Sequence, residues 1–452
     1  MTAHRQSDTD ACPGALRLHA AADGLLARVR LPGGLLTGAQ LGLLGELAEE
    51  FGDGRLELTS RANLQLRALK EGDAARLADR LRDAGLLPSP THDSVRNIAA
   101  PPLADARVRE LVAELDAAIR ADPELARLPG KFLFAIGEVP LAADVAAIPG
   151  PAGAFALRFG GRDTGLRVDA GAVVRALVVS AHAFLAEREE QRSGKGAAWR
   201  LRELADGPGR VSARVVETLG LAPVAASRPV TLSGPPGAAA GDVNAAVLVG
   251  VVTDGDQCAA GALVPLGRLE GTQTRVLAEA KRLVVTPWRG VLVPGLTAAE
   301  AASWTERLAA AGLVVTATSR WTGVTACAGR PGCAKSLADV RSDAEAASRF
   351  VAGLPVHWVG CERACGSPAG AHVRVEATGA GYAVTRRSAD GLLTESAQAV
   401  DSPLRQAEAA RSGPETGLPV NRLPEAATDG TGQTVTFPVD PLGDVVAGAR
   451  RG

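Results

Sequence analysis

The sequence predicts a mixed α+β (α/β) protein in which two half-domain repeats and two larger α/β units are related by a pseudo-twofold. Three observations lead to this fold class. The chain has 452 residues, enough for several packed domains. Its first clear unit alternates strands with helices, which excludes an all-helical fold. The same order of turn, strand and helix returns in the second half of the chain, as expected of a duplication.

The first repeat is predicted from hydrophobic periodicity and helix-capping signals. Thr37 and Gln40 have the spacing of a capping box, and leucines on one helical face follow them. Gly85 is placed to end a second helix, because glycine adopts the left-handed conformation at little cost. The predicted elements are a strand at Ala27–Leu31, a turn at Pro32–Gly34, a helix from Thr37, a strand at Arg55–Leu66 and a helix at Asp73–Ala84.

A shift of 227 residues aligns this segment with a second repeat. The shift places Leu56–Thr59 on Leu283–Thr286 and Ala84–Leu86 on Ala311–Leu313. Chance similarity is the alternative in a chain rich in alanine and leucine. Agreement at one fixed offset in strand, helix and turn positions favours duplication.

The remaining chain divides by composition. Ser233–Gly241 is rich in proline, glycine and alanine and is predicted to be a connector. The last segment is polar with scattered proline and glycine, so we expect it to be loosely structured. The predicted domains are 15–90 for the first half-domain, 91–225 for the first larger α/β unit, 226–300 for the second half-domain, 301–385 for a cysteine-bearing unit and 386–452 for a C-terminal tail.

Composition excludes several functional classes. Lys and Arg (49) balance Asp and Glu (50), so the chain lacks the basic excess of a nucleic-acid-binding protein. It has no apolar stretch of about 18 residues that would predict a transmembrane helix. Met1–Pro13 is polar and lacks the apolar centre of a signal peptide. We therefore expect a cytoplasmic protein with no nucleic-acid or membrane partner.

Four of the six cysteines fall into two close pairs on turns rich in glycine and proline, with the pattern C-x5-C, 27 residues, C-x3-C. Zinc is one candidate, but structural zinc prefers pairs roughly two to four residues apart, and the wider first gap favours a [4Fe–4S] cluster. Disulfides are disfavoured in a reducing compartment, and unrelated buried cysteines are the remaining alternative. The predicted cluster ligands are Cys327, Cys333, Cys361 and Cys365, whereas Cys12 and Cys258 are expected to be incidental.

The surroundings of the cysteines support a metal centre. Pro355–Val359 is predicted to be a buried strand that leads into the second pair. Lys335–Ala347 is predicted to be a helix after the first pair, and the positive end of a helix favours an anionic cluster.

Polar residues alternate along the segment 59–67. This alternation places Arg61, Asn63, Gln65 and Arg67 on one face of the predicted strand, where they form an array of hydrogen-bond donors. An ordinary exposed strand is an equal alternative. Further Arg, Asn and Lys residues lie in apolar surroundings, and several cations in one cavity imply a ligand with several carboxylates. The candidate binding residues are Arg61, Asn63, Gln65, Arg67, Arg96, Asn97, Lys131 and Arg289.

Together these motifs resemble the sulfite/nitrite reductase superfamily over residues about 20–375. The resemblance rests on the duplication, the T-x-R-x-N-x-Q-x-R pattern at 59–67, Arg96–Ile98, Leu128–Phe132 and the cysteine spacing. Within the superfamily the sequence resembles the precorrin-3B synthase family of aerobic cobalamin biosynthesis, notably at Asp23–Gly34, Leu58–Arg67, Thr286–Gly290 and Cys361–Gly366.

The resemblance implies ferredoxin-like half-domains and anion binding by Arg61, Arg96 and Lys131. The reductases have a second lysine where this chain has Leu133, which puts sulfite reduction in doubt. Their last cluster cysteine, here Cys365, also bridges to sirohaem iron; without sirohaem it is only a cluster ligand. The family is also associated with a non-haem iron. His182, His357 and His372 are candidate ligands, although a lone histidine is more often structural.

The implied reaction is the oxygen-dependent hydroxylation of precorrin-3A with closure of a γ-lactone. The implied partners are this tetrapyrrole, O2 and an external electron donor, either reduced ferredoxin or an NAD(P)H-linked reductase. One alternative is a sirohaem-dependent sulfite or nitrite reductase, and only this alternative requires sirohaem. A second is a cluster-bearing tetrapyrrole carrier without catalytic activity.

Overall fold

A computed structural model of the chain describes residues 10, 12–194, 196–222, 248–255, 257–368, 370–388, 393–400 and 441–451. The chain divides into two compact units, 1–317 and 318–452. The domain boundary predicted at residue 300 is wrong, because the helix Ala298–Ala310 spans it and packs on the sheet of the second repeat. The predicted connector Ser233–Gly241 lies outside the described residues.

In the first unit the described helices are α1 (Gly38–Phe51), α2 (Ala74–Asp83), α3 (Ala106–Ala121), α4 (Val173–Glu190), α5 (Gly207–Leu219), α6 (Gly271–Ala278) and α7 (Ala298–Ala310). Its strands are β1 (His19–Ala21), β2 (Gly24–Val29), β3 (Leu35–Leu36), β4 (Leu56–Leu58), β5 (Leu64–Leu69), β6 (Ile98–Ala99), β7 (Phe134–Ile136), β8 (Val145–Pro149), β9 (Ala154–Phe159), β10 (Arg162–Asp169), β11 (Gly250–Asp254), β12 (Gln257–Leu263), β13 (Arg268–Leu269), β14 (Leu283–Val285) and β15 (Gly290–Pro294). The second unit contains the strands β16 (Val324–Ala326), β17 (Val356–Val359), β18 (His372–Thr378), β19 (Gly381–Arg387) and β20 (Leu393–Val400) and the helices α8 (Val340–Ala347) and α9 (Pro441–Arg451).

The two repeats complete each other's sheets. Strands β1, β2, β5 and β4 come from the first repeat, and β13 from the second repeat joins their edge. The reciprocal sheet contains β11, β12, β15 and β14, with β3 from the first repeat at its edge. Arg268 pairs with Glu57 at one junction, and Leu283 pairs with Leu36 at the other. Buried residues of both repeats form one hydrophobic core, which confirms the predicted duplication.

The single strand predicted at Arg55–Leu66 is wrong, because the chain turns between β4 and β5. The Thr59 hydroxyl accepts hydrogen bonds from the backbone N–H groups of Arg61 and Asn63, which favours a turn over a continuous strand. Ala62 adopts a φ of 56° inside this turn. The predicted array on one strand face is therefore also wrong, since Arg61 lies in the turn whereas Gln65 and Arg67 lie in β5.

The second repeat contains the same turn. Thr286 N–H donates to Gly290 O at 2.9 Å, as Thr59 N–H donates to Asn63 O at 2.9 Å. Arg289, which is aligned with Ala62, also has a left-handed φ of 57°. Because the two equivalent turns contain the same unfavourable φ angle, the duplication extends to the backbone conformation of single turn residues.

The two larger sheets also share one topology. In the first unit β6, β7 and β8 are parallel and are followed by antiparallel β9 and β10. In the second unit β16, β17 and β18 are parallel and are followed by antiparallel β19 and β20. Helices α4 and α9 follow the last strand in the two cases. The predicted pair of larger α/β units is thus two copies of one arrangement.

One helical segment, 170–190, is long and apolar enough to cross a membrane by length and composition alone. It contains α4, whose residues Val173, Leu177 and Phe184 are buried in the hydrophobic core beneath the sheet β6–β10. These contacts identify α4 as a core helix of the first unit.

The loose structure predicted for the C-terminal tail is wrong for its described parts. Strand β20 pairs with β19, and α9 packs on the same sheet. Buried Arg450 of α9 donates hydrogen bonds to the carbonyl oxygens of Leu354 and Thr322, so α9 is fixed by polar contacts as well as apolar ones. The remainder of the tail, including 401–440, lies outside the described residues.

Candidate functional site

Arg61 is the candidate binding residue with the least compensated charge. The turn between β4 and β5 presents it half-buried, and within the described chain its guanidinium forms no hydrogen bond or ion pair. Burial, together with the neighbouring positive charge of Arg200, lowers the pKa of Arg61 to about 10. A poorly solvated cation of this kind is stabilised by an anionic ligand.

Lys131 is the second such cation. Its backbone N–H donates to the Asp10 carboxylate at 2.7 Å, which fixes the loop that carries it. Its Nζ lies 4.7 Å from the centre of the Trp199 ring, a cation–π contact that holds the ammonium group without neutralising it. Lys131 forms no salt bridge to any described residue.

Arg67 and Arg96 differ from these two because carboxylates already neutralise them. Arg67 donates to both oxygens of Asp23, at 3.0 and 2.9 Å, and lies 3.8 Å from Glu57. Arg96 donates to both oxygens of Asp116, at 2.6 and 3.0 Å. Both pairs are largely buried, so their geometry supports a structural role, and direct ligand binding by Arg67 and Arg96 stays a prediction.

The three candidate amides are also engaged within the protein. Asn63 Oδ1 accepts from the backbone N–H of Leu31, and Gln65 Oε1 accepts from Arg28 at 2.6 Å. Asn97 Nδ2 donates to the carbonyl oxygens of Ser94 and Gly130, which joins the loop before β6 to the loop of Lys131. These amides shape the surroundings of Arg61 and Lys131.

Arg289 occupies the corresponding turn of the second repeat. Its side chain lies against Gly267, where a β-carbon would come within 2.5 Å of Arg289 Cδ. A non-glycine residue at positive φ costs free energy, and such strain is concentrated at functional positions. The backbone conformation of Arg289 is therefore consistent with a functional position, and ligand binding by Arg289 stays a prediction.

Three further arginines were missed from the sequence. Arg28 lies in β2, Arg30 comes directly after this strand, and Arg200 follows Trp199. The charges of Arg28 and Arg200 both act on Arg61. The available signal was Arg28-x-Arg30, which has the period of two that places side chains on one strand face. Arg200 is paired with buried Asp144 at 2.7 Å and had no such signal.

Leu133, which stands where the reductases have a lysine, is buried in the protein. Its backbone N–H donates to Asp144 at 2.8 Å. The position therefore contributes an apolar side chain to the core and no charge to an anion site.

The four predicted cluster cysteines lie in two loops at one edge of a parallel sheet. Cys327 directly follows β16, and Cys361 comes shortly after the neighbouring strand β17. Because β16 and β17 are parallel, their carboxyl ends bring the two loops together. The Gly360 N–H donates to Cys327 Sγ at 3.3 Å, and Cys365 is close enough to influence the same thiol electrostatically.

Gly360 is the point at which the loop of Cys333 joins this group. Leu337 N–H donates to Gly360 O at 2.8 Å, and Ser336 N–H donates to Cys333 O at 3.0 Å. A β-carbon on Gly360 would come within 1.7 Å of Ser336 Oγ, so only glycine permits this packing. The helix predicted at Lys335–Ala347 is wrong at its start, since α8 begins at Val340.

The donor set fits an iron–sulfur cluster. All four cysteines are free, and each is at least partly accessible. Burial raises the pKa of the Cys327 thiol, so metal binding would have to displace its proton. Among the described residues, no three His, Cys, Asp or Glu side chains are arranged to hold one metal ion. A cube that takes one thiolate per iron tolerates a wider arrangement of sulfurs than a single zinc ion does.

The three candidate histidines have separate surroundings. His182 Nε2 lies 2.6 Å from Asp122. His357 lies between the Thr325 hydroxyl and the carbonyl oxygen of Cys365, and His372 Nδ1 donates to Gly370 O at 2.8 Å. None of them belongs to a metal-binding group within the described chain, and the non-haem iron stays a prediction.

The first repeat matches a known family. Residues 19–84 match the family model described as the nitrite/sulfite reductase ferredoxin-like half domain. The superfamily resemblance is confirmed. The solved structure of the NirA protein of Mycobacterium tuberculosis superimposes with a TM-score of 0.66 at 21% sequence identity, covering 83% of this chain and 77% of that one. Because the sequence identity is only 21%, this superposition shows a shared fold and nothing more.

Curated relatives differ in how much of the chain they cover. Ferredoxin–nitrite reductases of Leptolyngbya laminosa and Synechococcus elongatus are 34% and 36% identical, over 124 and 123 residues. The matched segment spans only 24% of the length of each. A precorrin-3B synthase of Sinorhizobium sp is 28% identical over 407 residues, 84% of both chains. All three relatives are named for an enzymatic activity.

Proposed function

We propose that this protein is a cytoplasmic precorrin-3B synthase that hydroxylates precorrin-3A with O2 and closes the γ-lactone. The observation that carries the proposal is the similarity to a precorrin-3B synthase over 84% of both chains. The similarity to the nitrite reductases is confined to about a quarter of their length.

The first unit supplies cations suited to a polycarboxylate tetrapyrrole. Arg61 and Lys131 are half-buried and have no carboxylate partner within the described chain, so substrate carboxylates can pair with them. Arg289 adds a cation from the pseudo-equivalent turn. In this proposal these residues bind and orient the macrocycle, while the ion pairs of Arg67 and Arg96 keep the surrounding loops rigid.

The second unit supplies the proposed cluster ligands. Cys327, Cys333, Cys361 and Cys365 would hold a [4Fe–4S] cluster, which when bound transfers single electrons that amino-acid side chains cannot supply. An external donor, reduced ferredoxin or an NAD(P)H-linked reductase, would provide the electrons. The Gly360 N–H donates to Cys327 Sγ and would stabilise the thiolate form of that ligand.

The second candidate function is a sirohaem-dependent sulfite or nitrite reductase. The family match at residues 19–84 favours it. Buried Leu133 opposes it, since the position of the reductases' second lysine carries no cation here.

Turnover tests the proposal against a carrier without catalytic activity. The reconstituted full-length protein is incubated with precorrin-3A, a reductant and O2, and the product is identified by mass spectrometry. We expect a hydroxylated lactone that incorporates label from 18O2. Tetrapyrrole binding without this product would show a carrier, and reduction of sulfite or nitrite by the same preparation would show a reductase.

A further inference from the structure

Trp199 is the aromatic neighbour of the Lys131 ammonium group. Lys131 Nζ lies 4.7 Å from the centre of the Trp199 ring, and both residues are partly accessible to solvent. The electron-rich face of an indole attracts a cation but carries no charge of its own. The contact therefore restricts the position of the ammonium group and leaves its full charge for a ligand.

The carboxylate of Asp144 joins the segment of Trp199 to the segment of Lys131. Asp144 is only 1% exposed. Its Oδ2 accepts from the backbone N–H of Leu133, in the segment that follows Lys131, at 2.8 Å. Its Oδ1 accepts from the backbone N–H of Leu201, in the segment that follows Trp199, at 2.8 Å. Because one buried group binds both segments, the core sets the position of the ring relative to the ammonium group.

Polar contacts also hold the backbone around Trp199 itself. The Trp199 N–H donates to Glu203 Oε2 at 2.8 Å. The next residue, Arg200, lies with its Nε 2.7 Å from the Asp144 carboxylate. These contacts do not involve the indole ring, so a substitution of the Trp199 side chain should leave the loop in place.

We propose that Trp199 is a positioning residue of the tetrapyrrole site and acts through Lys131, whose ammonium group its ring holds ready for a substrate carboxylate. The inference rests on the proposed function, because it takes the ligand to be a polycarboxylate tetrapyrrole. A side chain that is ordered before binding loses less conformational entropy when the ligand binds. A carboxylate in place of the ring would instead neutralise Lys131 and compete with the ligand.

Two variants of the full-length protein, Trp199→Leu and Trp199→Phe, form a matched pair. Leucine removes the aromatic face, whereas phenylalanine keeps a weaker one. The probe is uroporphyrin III, an octacarboxylate, in an absorbance titration. We expect about fivefold weaker binding by the Leu variant and at most about twofold weaker binding by the Phe variant. Equal affinity of the Leu variant and the unmodified protein would overturn the inference.

A double-mutant cycle with Lys131→Met determines whether Trp199 acts through Lys131. In the Lys131→Met background we expect Trp199→Leu to change uroporphyrin affinity by less than about twofold, because the cation that the ring holds is already absent. A disturbed loop, or direct stacking of the macrocycle on the ring, would weaken binding equally in both backgrounds and contradict the inference. Thermal unfolding checks that each variant folds, and Trp199→Met replaces a Leu variant that does not.

Acetylation of Lys131 tests the contact in the absence of a tetrapyrrole. The ligand-free protein is treated with acetic anhydride and modification is measured by peptide mass spectrometry, with the exposed Lys70 and Lys281 as internal controls. Loss of the ring uncovers one side of the Lys131 amine. We therefore expect about threefold faster acetylation of Lys131, relative to the controls, in Trp199→Leu and little change in Trp199→Phe. An unchanged rate in the Leu variant contradicts the inference.

The outcomes separate this inference from the proposed function. If uroporphyrin binds the unmodified protein and the Leu variant equally, the inference fails while tetrapyrrole binding stands. If uroporphyrin does not bind the unmodified protein, the proposed substrate class is wrong, and inorganic sulfate replaces it as the probe. Sulfate protection of Lys131 from acetylation that is about fivefold weaker in Trp199→Leu would then support the inference for a different anion. Protection of both proteins equally, or of neither, would overturn it.

Discussion

Basic residues near the candidate site fall into two groups according to their partners. Arg67 and Arg96 are each bound by a buried or half-buried carboxylate, so their charges are needed to balance the protein itself. Arg61 and Lys131 have no such carboxylate among the described residues. The second group is therefore free to respond to an anionic ligand, and mutation should separate the two groups.

Arg61→Ala should weaken tetrapyrrole binding without reducing stability. Loss of a charged hydrogen bond costs roughly 1–3 kcal/mol of binding free energy, whereas removal of a poorly solvated, unpaired guanidinium costs the folded state little. Absorbance titration with uroporphyrin III and thermal unfolding measure the two effects. Unchanged affinity would remove Arg61 from the site.

Arg96→Ala is the matched control, with the opposite expectation. It leaves the Asp116 carboxylate without its bidentate partner, and breaking a buried pair costs roughly 3–5 kcal/mol of folding free energy. The remaining contact from Arg120, at 3.1 Å, moderates the loss. A large drop in the unfolding temperature is expected, and a stable variant that has lost only ligand binding would instead place Arg96 in the site.

His372 should make stability depend on pH. Its Nδ1–H donates to Gly370 O, so Nε2 is unprotonated, and this buried atom has no partner. Burial lowers the pKa of His372 below its ordinary value of 6.5, and nearby Arg374 and Arg387 act in the same direction. The contribution of neutral His372 to the free energy of unfolding is therefore fully present above pH 6.5. It is lost as pH falls, because the unfolded chain binds the proton more readily than the folded chain does.

His372→Gln should reduce this pH dependence. Urea unfolding at pH 7 and pH 5 measures the difference in unfolding free energy, which we expect to be smaller in the variant. His19→Gln, at an exposed position of β1, serves as the control and should leave the difference unchanged. An equal pH dependence in His372→Gln and the unmodified protein would show that His372 does not cause it.

Single residues were predictable where their signal was local. The cysteine pairs were predicted from their spacing and Arg61 and Lys131 from motifs, and the roles of all of them stay predictions. The sequence could not show that Arg67 is neutralised by Asp23, 44 positions away, or Arg96 by Asp116, 20 positions away. Such pairings depend on strand and helix packing, and they decide which cations remain available to a ligand.

At the scale of elements, the exchange of β3 and β13 depends on tight turns before each strand. Gly34 precedes β3 with a φ of 72°, and a β-carbon there would lie 2.2 Å from Val285 O of the other repeat. Gly85 has nearly the same φ, 70°, but its β-carbon position is open. A comparison of alanine substitutions at the two glycines therefore distinguishes the cost of backbone strain from the cost of steric overlap between the repeats.

Gly34→Ala should lower the free energy of unfolding by roughly 3 kcal/mol or more, since steric overlap adds to the strain of a left-handed alanine. Gly85→Ala should cost only about 1 kcal/mol, from backbone strain alone. Urea unfolding of both variants checks the difference. Equal costs would show that the repeats do not require close contact at Gly34.

Elements with a local signal were predicted well, and those that depend on distant partners were not. The capping box of α1 is present, with Thr37 N–H donating to Gln40 Oε1 and Gln40 N–H donating to Thr37 Oγ1. The turn after β4 was missed because the alternation of polar residues through 59–67 imitates a continuous strand. The two-residue strands β3 and β13 were not predicted, since their partners belong to the opposite repeat.

At the scale of the molecule, one sheet topology serves two different purposes. The sheets β6–β10 and β16–β20 have the same order, but only the loops after β16 and β17 carry the paired cysteines. The first copy instead carries Lys131 in the loop before β7. We interpret the duplication as a scaffold whose two copies carry the proposed ligand-binding loop and the proposed cluster-binding loops.

Cys361→Ser should prevent cluster assembly. The loss of one of four thiolates leaves one iron without its protein ligand. Iron and acid-labile sulfide in the anaerobically purified protein measure the effect, and both should fall to background. Cys258→Ser is the control and should retain both. Normal iron and sulfide in Cys361→Ser would refute its assignment as a ligand.

The central claim is that this reductase-like fold receives a tetrapyrrole as its substrate and holds no sirohaem as a resident cofactor. The most direct measurement is the absorption and EPR spectrum of the full-length protein purified without oxygen. We predict the broad visible absorption of an iron–sulfur protein and, after reduction, the EPR signal of a [4Fe–4S] cluster. An intense Soret band with a charge-transfer band in the red would contradict the claim and identify a sirohaem enzyme.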